Sequence, residues 1–223
     1  MCSIHVNDLD EVLSSVREVG GSIFTQPRGE LGSRRVCLRD PDGIWLELVE
    51  KMPIETTLGG TPNEKLGPSV VGVTISVGDL ELVEKFWMGV LGLKEYKQGD
   101  IHNTEDEELW GLVGGVRDTL VLESGELALE FVQYQSPVGR NRPAGYLLSD
   151  QGILNVAFGC TDKREFHATY ERALQLGYVG ITQPWTVPDI ATVVYLTDSN
   201  GFSVELLHVE PSALARMGFV ANS

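Results

Sequence analysis

One pattern occurs three times along the 223 residues, and few folds can be assembled from such a unit. Each copy opens with a short apolar-alternating run, then an Asp, then a helical pattern closed by Gly. The copies are IHVNDLDEV from Ile4, ISVGDLELV from Ile75 and FGCTDKREF from Phe158. Asp8, Asp79 and Asp162 suit helix N-caps, where a carboxylate accepts from backbone N–H groups that have no partner within the helix. The helices carry one apolar stripe each: Leu9, Val12, Leu13 and Val16; Val83, Phe86, Trp87, Val90 and Leu91; Phe166, Tyr170, Ala173 and Leu174. Gly20, Gly92 and Gly177 follow, where a left-handed C-terminal cap is wanted. Each helix leads into a β-rich half with a tight turn before its last strand: DPDG from Asp40, ESGE from Glu123 and DSNG from Asp198. The last strands read IWLELVE from Ile44, ELALEFVQY from Glu126 and FSVELLHV from Phe202. The unit is therefore βαβββ, and the fold class is α+β.

Strand side chains alternate between faces, so parity separates the helix-packing side from the other. Cys2/Ile4/Val6, Val73/Ile75/Val77 and Val156/Phe158/Cys160 are apolar and belong under the helices. The opposite sets, Met1/Ser3/His5, Gly72/Thr74/Ser76 and Asn155/Ala157/Gly159, are mostly small or polar and suit the lining of a pocket. On that same inner face each last strand carries a Glu among apolar neighbours: Glu47, Glu130 and Glu205. A carboxylate so placed must be solvated, paired or bound to a cation, because burying it alone is too costly.

Charge narrows the partners. With 17 basic against 32 acidic residues the net charge is −15, a surface that repels phosphate backbones, so nucleic acid is excluded as an expected partner. No apolar run approaches the roughly 18 residues of a membrane span, and no export signal is visible, so a cytoplasmic protein is expected. Cys2, Cys37 and Cys160 are widely spaced in apolar runs and read as reduced thiols. Phosphate-binding Gly-rich loops, H-E-x-x-H, G-x-S-x-G and paired C-x-x-C motifs are absent from the sequence. Among the histidines, His5 shares the Glu47 face, His102 reads as solvated loop in DIHNTEDEE, His167 as helix surface, and His208 as a structural residue on the helix side of its strand.

In these repeats, and most closely in RDPDGIWLELVE at 39–50, the chain resembles the vicinal oxygen chelate (glyoxalase/bleomycin-resistance/extradiol dioxygenase) superfamily. The resemblance implies that two modules pair to form a U-shaped sheet cavity. It also implies a divalent metal held by residues of the first strands and a Glu of the last strands. The matching first-strand positions, seven residues before each capping Asp, are Met1, Gly72 and Asn155. Glu130, Glu205 and Asn155 are then the implied metal ligands, with Glu130 and Glu205 in catalytic roles. Two carboxylates and an amide would suit Mg or Mn better than Zn; Fe and Ni are the other metals of such sites, and metal-free members also exist. Thr74, Ser76, Tyr134 and Trp185 are the expected substrate-binding residues, and Trp45, Trp110 and Tyr195 are further candidate walls.

The expected organisation is a single module over 1–51, a linker over 52–69, a complete two-module domain over 70–210 and a tail over 211–223. The first module would find its partner in another chain, giving a homodimer, or would belong to a shortened form of a four-module protein. The function expected is that of a small-molecule enzyme acting on a metabolite with vicinal oxygens, as a metal-dependent lyase, isomerase or dioxygenase. The rival expectation is a metal-free protein that sequesters a small molecule. A pure scaffold would show a collapsed cavity filled by large side chains.

Overall fold

A computed structural model describes residues 1–51, 68–97, 99–124, 127–143, 145–147, 149–150, 152 and 155–217. Residues 52–67 of the expected 52–69 linker, residues 125–126 of the ESGE turn and residues 218–223 of the expected tail lie outside the described residues. The first module runs β1 (Cys2–His5), α1 (Leu9–Glu18), β2 (Ser22–Ile23), β3 (Arg35–Arg39) and β4 (Trp45–Val49). The second runs β5 (Ser69–Ser76), α2 (Leu80–Val83) continuing as a π-helical turn at Glu84–Met88, β6 (Lys94–Glu95), a 3₁₀ helix at Thr104–Trp110, β7 (Val116–Ser124) and β8 (Leu127–Ser136). The third comprises β9 (Asn155–Cys160), α3 (Lys163–Gln175), β10 (Trp185–Val187), β11 (Ala191–Thr197) and β12 (Ser203–Val209), followed by a 3₁₀ helix at Pro211–Met217. The expected α+β class of repeated βαβββ units is thus observed.

Local chemistry fixes the helix starts. The Asp8 carboxylate accepts from the Glu11 N–H at 3.0 Å, and that of Asp162 accepts from the Arg164 N–H at 2.8 Å. The apolar stripe of α1 then places Leu9 and Leu13 against Val6, just after β1, and against Val36, Leu38 and Leu48 of β3 and β4. Each such side chain contributes about 1.5–3 kcal/mol on burial. In the third module the same parity packs Phe166 of α3 against Val194 and Leu206. Cys2, Cys37 and Cys160 are free thiols. Among the described residues no helix is long and apolar enough to cross a membrane.

The pairing of modules differs from the sequence expectation. β1 runs antiparallel to β5, with Cys2 opposite Val73 and Ser3 opposite Gly72, and this seam joins the first two modules in one eight-stranded sheet. Its strand order is β2-β3-β4-β1-β5-β8-β7-β6. The first module therefore pairs, through β1, with β5 of the second module of the same chain. The chain divides into a unit of Met1–Leu80, Leu93–Pro143 and Gln151–Ile153, and a unit of Glu81–Gly92, Ala144–Asp150 and Leu154–Ser223. The second unit holds a four-stranded sheet in the order β10-β11-β12-β9. Side-chain parity dictates which face of a strand is buried but not which edge meets which, and that choice was hidden in the sequence. Gly72 suits close pairing on the other side of β5: a Cβ there would come within 3.3 Å of the Ala128 carbonyl of β8.

Candidate functional site

The eight-stranded sheet carries its polar centre where strand register brings two repeated carboxylates to its inner face. Ser3 of β1 lies beside Glu47 of β4, and Thr74 of β5 lies beside Glu130 of β8. The Ser3 hydroxyl donates to Glu47 Oε2 at 2.8 Å, and the Thr74 hydroxyl donates to Glu130 Oε2 at 3.0 Å. Both carboxylates are 0% exposed. Between them stands His102, itself 2% exposed, with Nε2 3.0 Å from Glu47 Oε2 and Nδ1 bonded to Glu130 Oε2. His102 is thus buried at the centre, not in solvated loop. A polar stretch such as DIHNTEDEE gives no periodic signal that it folds inward, so sequence reasoning missed it.

The loop bearing His102 is held from several sides. Asn103 caps the 3₁₀ helix, accepting from the Glu105 and Asp106 N–H groups, while the Asp106 carboxylate returns to the Asn103 N–H at 2.8 Å. Gly111 ends that helix at φ +76, a left-handed conformation natural to glycine. The Arg35 guanidinium donates from Nε to Glu47 Oε1 at 2.9 Å and from Nη1 to the Ile101 carbonyl at 3.2 Å. That of Arg117 donates from Nη2 to the His102 carbonyl at 2.6 Å, pairs with Glu107 through Nε and lies 3.7 Å from Glu130 Oε1 through Nη1. Trp110 sets its ring edge-to-face on the imidazole, the centroids 4.8 Å apart. The Tyr134 hydroxyl donates to Glu107 Oε2 at 2.8 Å.

These contacts set the charge states. Burial alone would lower the His102 pKa, but its bonds to Glu130 and Glu47 outweigh that and hold it up at about 9. Burial would raise the Glu47 carboxyl, but His102, Arg35 and Ser3 hold it below the ordinary range. Burial and the Glu107 carboxylate push the Tyr134 phenol up. A raised histidine pKa means that the folded chain binds that proton more tightly than the unfolded chain. Its stabilisation is complete below the ordinary value of 6.5 and is lost as pH rises through about 9. The lowered Glu47 acts oppositely, its contribution being present above the ordinary 4.5 and lost on acidification. Urea midpoints are therefore expected to fall between about pH 6 and about pH 9.5, and that fall should be much reduced in His102→Gln. A wild-type midpoint flat over this window would contradict the raised His102 pKa.

A divalent metal does not fit this centre. A whole imidazole ring and two hydrogen bonds separate the two carboxylates, more than the ~5 Å that two oxygens on one ion can span with bonds of 2.0–2.6 Å. Two guanidiniums already compensate the same carboxylates. Met1 and Gly72, the first-strand positions of this pair, offer no metal-binding side chain of the expected kind. Among the described residues no cluster of three or more His, Cys, Asp or Glu side chains is arranged to hold a metal ion.

The third module repeats the register without the closure. Glu205 of β12 lies opposite Tyr195 of β11 and beside Ala157 of β9. The Asn155 amide donates to Glu205 Oε2 at 3.3 Å. Burial, together with the charge and hydrogen bond of Glu205, raises the Tyr195 phenol. Glu205 is half-buried, and among the described residues no basic side chain lies within ion-pairing distance of it. Ala157 and Gly159 are exposed, and Trp185, 65% exposed, stands opposite Val193 on this same face. The structure thus brings Glu205, Asn155 and Trp185 to one face of one sheet. Glu130, Thr74 and Tyr134 belong to the other unit, while Ser76, also there, is exposed.

An inner sheet face with one carboxylate per βαβββ module defines a protein of the paired-module, glyoxalase-like class. Residues 69–206 match the Glyoxalase/Bleomycin resistance protein/Dioxygenase superfamily, and the chain belongs to that superfamily. Among solved structures it is similar to glyoxalase I from Zea mays, with 21% identity over 97% of this chain and 68% of that one and a TM-score of 0.59. A mutant of the same enzyme gives 22% identity, the same coverage and a TM-score of 0.63. A glyoxalase family protein from Bacillus cereus gives 16% identity over 63% of this chain and 93% of that one, with a TM-score of 0.54. No curated protein sequence matches the chain.

Proposed function

We propose that the protein holds a small organic molecule bearing vicinal oxygens against the inner face of its third module, with Glu205 as the polar anchor. One observation carries this reading. Of the three repeated glutamates, Glu47 and Glu130 are enclosed by cations, whereas Glu205 keeps oxygen capacity facing an accessible sheet. The floor of Ala157 and Gly159 leaves room for a ligand, Trp185 supplies an apolar wall, and the Tyr195 hydroxyl and Asn155 amide supply hydrogen bonds. A carboxylate with spare lone pairs can accept a ligand hydroxyl or move a proton between adjacent carbon and oxygen atoms, the acid–base work of a lyase or isomerase.

A second reading, a metal-dependent enzyme of the same type, is favoured by the proximity of Asn155 and Glu205. An amide and a carboxylate suit a hard divalent ion such as Mg or Mn. We infer further that the face is completed by a second copy of the chain. Among the described residues β9 has β12 on one side and no strand on the other, whereas the equivalent strands β1 and β5 pair with each other.

Thermal-shift titration of 2-hydroxy acids, α-oxoaldehyde hemithioacetals and catechols, with and without Mn²⁺, tests both readings. A shift seen with wild type and lost in Glu205→Gln is expected, and its dependence on Mn²⁺ selects the second reading over the first. Equal shifts in wild type and Glu205→Gln would remove Glu205 from the site. Light scattering on the same samples is expected to give twice the 24.4 kDa chain mass, and a monomer at all concentrations would discard the completed face.

A further inference from the structure

The first module carries a cation and two aromatic rings that neither the buried centre nor the Glu205 face uses. We propose that Arg39, Trp45 and Phe24 form a second binding site, one that takes an organic carboxylate with a flat apolar body.

The DPDG turn builds the cluster. The Asp40 carbonyl accepts from the Gly43 N–H at 3.0 Å, and its carboxylate accepts from the Ile44 N–H at 2.8 Å. The turn so closed sets Arg39 of β3 directly opposite Trp45 of β4. That pair lies two residues along from Cys37 and Glu47, and therefore on the same inner face. The Arg39 guanidinium lies over the indole, 4.1 Å from the ring centroid. Phe24 meets the same indole edge to face, the centroids 4.8 Å apart. Behind Phe24 stands Gly111 at the end of the 3₁₀ helix, where a Cβ would come within 3.0 Å of the phenyl ring. The second module thus backs a cluster that the first module presents.

What marks the cluster as a site is the chemistry left unused in it. Arg28, Arg34, Arg35 and Arg117 each meet a carboxylate. Arg39 is exposed and, among the described residues, its guanidinium meets none, although the chain has 32 acidic residues. The adjacent Asp40 carboxylate is turned to the Ile44 N–H instead. A guanidinium held on a ring keeps its planar fork of N–H donors, which matches the two oxygens of one carboxylate. Beside it Phe24 is 47% exposed, so apolar surface adjoins the charge. A bare anion would use only the fork, whereas an aromatic carboxylate would cover Phe24 as well. The fold itself does not require the cluster. The equivalent cross-strand pairs are Glu123 with Ala128 in the second module and Thr197 with Ser203 in the third, and neither offers a cation or a ring.

Titration of 2-naphthoate into the intact nitrogen-15-labelled chain tests the proposal. The readout is the indole N–H signal of Trp45, identified by its loss in Trp45→Phe. A saturable shift of that signal is expected in wild type, with affinity at least roughly tenfold weaker in Arg39→Gln, the size of one lost charge-assisted bond. The neutral 2-naphthamide, titrated into wild type, is expected to bind weaker by a similar factor. Inorganic phosphate is expected to bind more weakly than 2-naphthoate, because it has no apolar body. No saturable shift with 2-naphthoate, equal affinity in wild type and Arg39→Gln, or equal affinity for the acid and the amide overturns the proposal. Phosphate binding as tight as that of 2-naphthoate overturns the ligand class. The amide and phosphate comparisons use wild type alone, so they decide the matter even if a variant is destabilised.

Discussion

Replacing Trp87 by Ala is expected to lower the free energy of unfolding by about 3–5 kcal/mol, the range for deleting a buried tryptophan. Trp87 is 0% exposed in the π-helical turn at Glu84–Met88. Its ring packs near Phe158 and Phe202 at centroid distances of 5.8 and 6.1 Å, and edge-on to Phe86 at 5.9 Å. The indole N–H donates to Asp198 Oδ2 at 3.0 Å. That carboxylate also accepts from the Phe202 N–H and shapes the turn that feeds β12. The substitution therefore removes an aromatic core and a turn support together. Trp87→Phe keeps most of the packing and loses the donor, with an expected cost near 1–3 kcal/mol. Chemical denaturation of both variants checks the order, and a Trp87→Ala cost below that of Trp87→Phe would contradict it.

The second large effect is expected at Arg117. Its side chain is 6% exposed and pairs with Glu107, 3% exposed, while facing Glu130. Arg117→Ala strips compensation from two buried carboxylates and is expected to cost about 3–5 kcal/mol. The effect is one of uncompensated charge rather than lost contact, so adding Glu107→Gln should restore a large part of the loss. A double-mutant cycle measures this directly. Strict additivity of the two substitutions would show that they do not share the centre.

Helix and strand positions followed from the sequence because their signals are local. The capping Asp8 and Asp162, the stripe of α1 and the parity of β1 all act within a few residues, and each is seen in the structure. The three glutamates were visible too, since a charged residue recurring within an apolar strand stands out in a repeat. What was not legible was any choice made over long distance. The seam of β1 on β5 joins segments about seventy residues apart, and two equivalent edges competed for it. The insertion of His102 was equally hidden, because its partners lie 28 and 55 residues away and its own segment is polar. The candidate site accordingly divides: Asn155 and Glu205 meet as neighbours on one sheet, whereas Glu130 belongs to a centre with a different set of partners.

The seam has a consequence for how the chain is born. On a ribosome adding ~5–20 residues per second, β1 emerges long before β5 and the β8 strand that holds β5 in place. For a time of order ten seconds the first module offers an open sheet edge to whatever is nearby, including the nascent chains of neighbouring ribosomes. The charges of Glu47 and Arg35 lie close to that waiting edge and discourage mispairing until the second module arrives. Yield in a cell should therefore depend on synthesis rate and on chaperones that shield strand edges, more than the stability of the finished protein would suggest.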